Sequence, residues 1–219
     1  MLSILSYMRQ GEYLLAIIAI FSRCFVVFCC MPIHEAAHAF VAYKLGDDTA
    51  KRQGRLTLNP LAHLNPLGTI MIFLFGIGYG QAVPVDERNF KNPKAGMALT
   101  ALAGPVSNIV LAFVSCIVFV LLGNAGVTNQ YVMFFVRLMF YVNCMLAMFN
   151  LIPISPLDGS KVLFAFLPQR YYDKLMYVER YGFIILIIAV NTPLFNHILD
   201  NGVTNLMRAI IFLVDLLPI

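Results

Sequence analysis

The chain has 219 residues, 60% of them hydrophobic and only 12% charged, with a mean hydropathy of +0.81. A soluble domain carries roughly 25% charged residues, so a soluble protein is excluded and an all-α polytopic membrane protein is the natural class. The formal net charge of +4 comes from basic residues confined to a few loops, which is not a nucleic-acid footprint.

Five apolar stretches are long enough to span a bilayer, at roughly 12–45, 95–122, 131–152, 181–198 and 203–218. The first runs directly into a histidine cluster and is too long for a cleaved signal, so it is expected to be retained. A sixth stretch, "LGTIMIFLFGIGYG" (67–80), is shorter, holds four glycines and reads as re-entrant. Its flanks decide the topology. Lys44, Lys51, Arg52 and Arg55 precede it, and Arg88, Lys91 and Lys94 follow it, so the positive-inside rule puts both flanks in the cytoplasm. Loop 123–130 has no charge and reads as external. Stretch 153–180 carries Lys161, Arg170, Lys174 and Arg180 and reads as cytoplasmic. The N-terminus is then external and the C-terminus cytoplasmic. Cys24, Cys29, Cys30, Cys116 and Cys144 all sit in apolar runs without C-x-x-C spacing and read as small buried hydrophobes. No internal repeat is visible, and residues 1–219 read as one membrane-embedded domain.

The first span ends in "PIHEAAHAF" (32–40), which places His34, Glu35 and His38 inside an apolar segment. Ionisable residues at membrane depth are costly and mark functional sites by default. Residues four apart on a helix lie about 40° apart around the axis and about 6 Å along it, so both imidazoles can reach one ion from one face. This is the H-E-x-x-H arrangement of two zinc ligands and a general base. The plainer alternative is a pair of satisfied core histidines flanking a buried glutamate, which leaves the charge unexplained. A catalytic zinc needs a third protein ligand, and His63, Asp158, Glu179 and His197 are the candidates. Asp158 stands out because it lies in "NLIPISPLDGSKVL" (150–163), where Pro153 and Pro156 disrupt the helix and Gly159 permits an unusual turn. It could equally cap the following helix.

"HEAAH" together with "NLIPISPLDG" resembles the site-2 protease family of intramembrane zinc metalloproteases. Asn150, Pro153, Leu157, Asp158 and Gly159 match the family's N-x-x-P-x-x-x-L-D-G motif, and Gly104, Pro105 and Asn108 of "ALAGPVSN" (101–108) match its G-P-x-x-N segment. "GRLTLNPLAHLNPLGT" (54–69) and "GQAVPV" (80–85) are similar to short bacterial members. The resemblance covers residues 12–167 and not the helices at about 181–218. It implies one Zn2+ per chain held by His34, His38 and Asp158, with Glu35 activating water. It also implies a three-helix catalytic core and a site within a bacterial cell membrane toward the cytoplasm. Its substrates are then transmembrane proteins. Members with PDZ or CBS domains exist; this chain is too short to hold one.

Two amides in apolar helices, Asn108 and Asn150, are candidate oxyanion or substrate donors, with interhelical hydrogen bonding as the alternative. Asn143 and Asn191 have no motif and read as packing residues. His63 reads as a polar loop residue, with support of the site's ligands as the alternative, and Arg23 as facing a neighbouring helix or snorkelling. The segment 67–80 with "QAVPV" is expected to offer an edge to an unwound substrate. A zinc-binding transporter or sensor would use the same ligands without hydrolysis, but transporters usually show repeated halves and metal-type residues on several spans. An inactive scaffold would not need Glu35. Oligomeric state is not legible.

The charge pattern makes a topological prediction. Single cysteines placed in loops 46–60 and 81–94 of a cysteine-free variant should react from the same, cytoplasmic side. Labelling from opposite sides would overturn the re-entrant assignment.

Overall fold

The computed structural model describes residues 4–75, 80–168 and 179–219, and among them there are helices and loops but no strand. A short α1 (Ile4–Arg9) precedes an unbroken helical run, Tyr13–Lys44. That run has three parts: α2 (Tyr13–Phe25), a π turn (Val26–Cys30) and α3 (Met31–Lys44). Pro32 explains the π turn. A proline within a helix brings no N–H to the carbonyl one turn back, and a local change to longer-range bonds lets the helix continue. Here the Met31 amide reaches back five residues to the Val26 carbonyl.

Beyond Lys44 come α4 (Thr49–Arg52), a 3-10 turn (Pro60–Ala62), α5 (Pro66–Phe75) and a second 3-10 turn (Glu87–Asn89). Helix α5 is about 15 Å long at 1.5 Å per residue, half a bilayer core. The expected return of segment 67–80 falls partly on residues 76–79, outside the described residues. The same holds for the expected cytoplasmic Arg170 and Lys174.

Helix α6 (Pro93–Asn124) starts where the Asn92 side chain accepts from the Ala95 amide at 3.2 Å, with Pro93 at the first helical position. Helix α7 (Gln130–Asn150) starts on the Asn129 side chain in the same way. Helix α8 (Asp158–Phe166) follows the proline-containing loop, and Lys94 donates to the Leu167 carbonyl beyond its last turn at 2.8 Å.

Among the described residues, three helical runs are long and apolar enough to cross a membrane: Tyr13–Lys44, Pro93–Asn124 and Gln130–Asn150. A fourth is possible if α9 (Gly182–Val190) and α10 (Pro193–Asp215), bent by 82° at their junction, form one broken span. Composition alone counts five spans and puts the last break near 199–202. The break instead falls at Asn191–Thr192, where Thr192 caps α10 by accepting from the Phe195 amide and Pro193 cannot extend α9. Helix α9 has nine residues, about 14 Å, too short to cross alone. "LDNG" (199–202) stays helical because its polar residues do not break the hydrogen-bond ladder.

Helix α6 is central and packs against α3, α7 and α8. A core of Ala112, Cys116, Phe140, Cys144, Val203, Ile210 and Val214 joins α6, α7 and α10. The outer faces are as apolar as the core: Ile17, Phe21, Val106, Val110 and Phe212 are all exposed. Such contiguous apolar surface on long helices suits lipid. All five cysteines are free.

At the end of α3, Asp47 is fully buried. Its carboxylate accepts from the Thr49 amide and hydroxyl, the Asp86 amide at 2.8 Å and the Asn89 amide group at 2.8 Å. It therefore ties the chain leaving α3 to segment 86–89, some forty residues later. Burial pushes its pKa up, but the hydrogen bonds outweigh that and hold it below the usual carboxylate range. A depressed carboxyl pKa stabilises the fold above the unfolded value and loses that contribution as pH falls through the folded one. Asp47→Ala should lower stability by about 1.5–3 kcal/mol. Asp47→Asn should be less stable than the parent at pH 7 and show a smaller further loss below about pH 4. Thermal unfolding in detergent across pH checks both.

Candidate metal centre

Three elements converge on one point. His34 and His38 lie on the face of α3 turned toward α6, and Asp158 opens α8 just beyond the end of α7. His34 Nε2 and His38 Nε2 are 3.1 Å apart, and each is 3.3 Å from Asp158 Oδ2. A tetrahedral ion with bonds of about 2.0–2.1 Å separates its ligand atoms by about 3.3 Å, so the three atoms are spaced as a zinc ion's ligands would be. Both histidines are buried, and Asp158 Oδ2 is buried with no partner beyond the two imidazoles. Among the described residues no other group of three such side chains is close enough to share an ion. Of the alternative third ligands, His197 is paired with Asn201 on α10, and neither His63 nor Glu179 joins the cluster.

Local sequence explains how Asp158 reaches the histidines. The loop after Asn150 folds on itself through bonds from the Ile154 amide to the Ile152 carbonyl and from the Leu157 amide to the Ile154 carbonyl. The Ser155–Pro156 peptide is cis. Gly159 lies directly on this loop: a Cβ there would sit 2.3 Å from the Leu151 carbonyl oxygen. Asp158 is the first residue of α8 and its side chain caps no amide; it turns toward the imidazoles instead.

Helix α6 backs the histidines along residues spaced by four. The His38 Nδ1–H donates to the Thr100 carbonyl at 2.7 Å, and the Asn108 amide lies 3.0 Å from His34 Nδ1. Between them Gly104 lets the rings touch the helix backbone. A Cβ at 104 would lie 2.4 Å from His38 Nε2 and 2.5 Å from His34 Nε2. Gly104 and Thr100 are not visible as site residues in the sequence, although "ALAGPVSN" marks the stretch.

Glu35 is half-buried beside the cluster, and Gly80 lies over it: a Cβ at 80 would be 3.7 Å from Glu35 Oε1 and 3.1 Å from the His63 carbonyl oxygen. The Gln81 amide donates to that carbonyl at 2.7 Å, and Arg55 donates to the carbonyl of Ala62. His63 is a loop residue as expected, but a buried one. Its Nε2–H donates to the Thr57 carbonyl at 2.9 Å, which fixes the 57–63 loop against which Gly80 and Gln81 lie. Asn150 donates to the Leu146 carbonyl of its own helix, and Asn143 donates to that of Met139.

The contact at Gly104 generates a prediction. Gly104→Ala forces either α6 or both imidazoles to move, and metal affinity should fall at least about tenfold. Metal retention during titration with a chelator checks this; unchanged retention would mean that α6 does not set the ring positions.

Proteins similar to this chain agree with the geometry. It is 42% identical over 176 residues to "Putative zinc metalloprotease YwhC" of Bacillus subtilis, an overlap covering 76% of this chain and 78% of that protein. It is 29% identical over 171 residues to "Putative zinc metalloprotease Rip2" of Mycolicibacterium smegmatis, covering 75% of this chain and 64% of that longer protein. The family pattern of peptidase family M50 matches residues 123–189, which include Asp158 and its loop. No solved structure matches the chain. An overlap of this extent with YwhC, the M50 match over the loop of Asp158 and the membrane-length helices establish that the chain belongs to peptidase family M50, the site-2 protease family, and is an integral-membrane metalloprotease.

Proposed function

We propose that this protein is an intramembrane protease acting in regulated intramembrane proteolysis, with one zinc per chain, cutting peptide bonds within or near transmembrane segments of other membrane proteins. One observation carries the reading: three buried ligand atoms at tetrahedral spacing, beside a half-buried glutamate, inside apolar helices. His34 and His38 each offer Nε2, and Asp158 offers Oδ2. When bound, zinc supplies Lewis acidity that favours ionisation of water and polarises a carbonyl.

The protein's own residues do the rest. Glu35 accepts a proton from the attacking water as the oxygen–carbon bond forms, and delivers it to the leaving nitrogen as the carbon–nitrogen bond breaks. Gly80 lies close to the Glu35 carboxylate, where the Met31 side chain and the His63 carbonyl oxygen already crowd the position a Cβ would take. Among the described residues, no hydrogen bond engages the backbone of Ala82, Val83 or Val85. This segment is suited to pair with a locally unwound substrate, and the part of it at 76–79 is outside the described residues. His34 lies ten residues, about 15 Å, from the basic end of α3, which supports a site toward the cytoplasmic side of a bacterial cell membrane. Residues 1–219 act as a single membrane-embedded domain with lipid and transmembrane substrates as partners and no nucleic acid.

Zinc content and cleavage of transmembrane peptides test the roles together. His34→Ala, His38→Ala and Asp158→Ala should lose zinc and activity. Glu35→Gln should keep zinc and lose activity by about 10²–10⁴-fold. Chelator should abolish cleavage and added zinc restore it. Zinc lost from Glu35→Gln but retained in Asp158→Ala would mean that the two carboxylates have exchanged roles.

A further inference from the structure

Helix α6 presents three positions at four-residue spacing, 100, 104 and 108, to a helix whose histidines are also four apart. The pairing is antiparallel: Thr100 meets His38, Gly104 meets both rings, and Asn108 meets His34. Asn108 is buried to 1% exposure, and its Oδ1 is buried without a partner. Its Nδ2 is the atom 3.0 Å from His34 Nδ1. The two ends of a carboxamide are nearly identical in shape, so half a turn about its terminal bond puts Oδ1 where Nδ2 lies.

A histidine that gives Nε2 to a metal carries its proton on Nδ1, and that proton needs an acceptor. His38 has one, the Thr100 carbonyl. For His34 the nearest polar side chain is Asn108, and its spare buried atom is an acceptor. We propose that Asn108 is a positioning residue for the metal site: its Oδ1 receives the His34 Nδ1–H, fixes the tautomer and ring angle of that ligand, and so raises metal affinity. With Oδ1 turned to His34, Nδ2 takes the buried position that Oδ1 now holds. Neutral Asn at 108 and the main-chain carbonyl at 100 give both histidines acceptors without adding a second buried charge beside Asp158.

This inference rests on His34 being a zinc ligand, and the experiment separates the two. Zinc affinity is measured by chelator competition on purified Asn108→Ala, Asn108→Asp, His34→Ala and parent protein, alongside peptide cleavage at limiting and saturating zinc. Asn108→Ala should bind zinc about 10–100-fold more weakly, the usual effect of removing such a partner, and should recover much of its activity when zinc is saturating. Asn108→Asp keeps an acceptor of the same size and should hold zinc more tightly than Asn108→Ala, close to the parent, with activity retained. An oxyanion donor would behave oppositely. Zinc affinity would be unchanged in both variants, and Asn108→Asp would lose activity at any zinc concentration because a carboxylate repels developing negative charge. That result would overturn the proposal. If His34→Ala itself bound zinc normally, the ligand assignment beneath it would fail instead.

Discussion

The structure depends on three electron-rich atoms being held 3.1–3.3 Å apart inside apolar helices. With each imidazole proton on Nδ1, such a cluster is unfavourable when bare: three lone pairs face one another away from water, and one belongs to a carboxylate. A cation placed among them turns that repulsion into coordination. The surrounding packing is what keeps the atoms close enough for this to happen. Gly104 removes the side chain that would hold α6 off the rings, and Gly159 removes the one that would hold α8 off its own loop. Both glycines serve close approach rather than a special backbone angle, since neither has positive φ.

Much of the site was legible because its chemistry is local. The i, i+4 spacing of His34 and His38 needs only helix geometry, and Glu35 follows from its place between them. Asp158 is 120 residues from His38, and no periodicity connects them; what singled it out was a proline- and glycine-disrupted stretch next to an apolar span, with the family motif behind it. The parts that stayed hidden are backbone properties. The π turn at Val26–Cys30 leaves no mark in residue type except Pro32, and the acceptor for His38 is a main-chain carbonyl that any residue at 100 would supply. The burial of His63 is hidden because a histidine between two Asn-Pro pairs shows only as a polar loop residue, whereas its ring packs inward to hold the Thr57 carbonyl. The break between the last two helices lies elsewhere than composition places it for a different reason. Hydropathy measures composition, whereas Thr192 and Pro193 set where the helix restarts.

The loops beyond α3 form a second layer of support, anchored outside the apolar zone. Asp47 gathers donors from segments 47–49 and 86–89, and Arg55 and His63 join the 55–63 loop to Gln81. Between these two anchors runs 82–85, whose ends are fixed while its middle makes no backbone hydrogen bond among the described residues. A segment held at both ends, with Val83 packed on Ala39 and Ala50, keeps its place without spending its own backbone pairing capacity. Fixing it by a buried carboxylate rather than by strand pairing with its own chain is what leaves that edge open.

The π turn bears on the same geometry from the other side. Each residue of an α-helix advances about 100° around the axis, so one extra residue in a turn rotates everything after it by about that angle. Helix α2 buries Ala16, Ala19 and Ser22, and α3 buries His34, His38, Ala39 and Ala42. The π turn lies between these two stripes, with Val27 and Cys30 fully packed within it and Cys30 against Asn143 of α7. It therefore sets the phase of the histidine face relative to the first half of the span. A regular helix of the same sequence would satisfy the packing of α2 and turn His34 and His38 away from Gly104. The choice of a longer-range turn at Pro32 is in this sense tied to the candidate metal site, expressed one turn before His34.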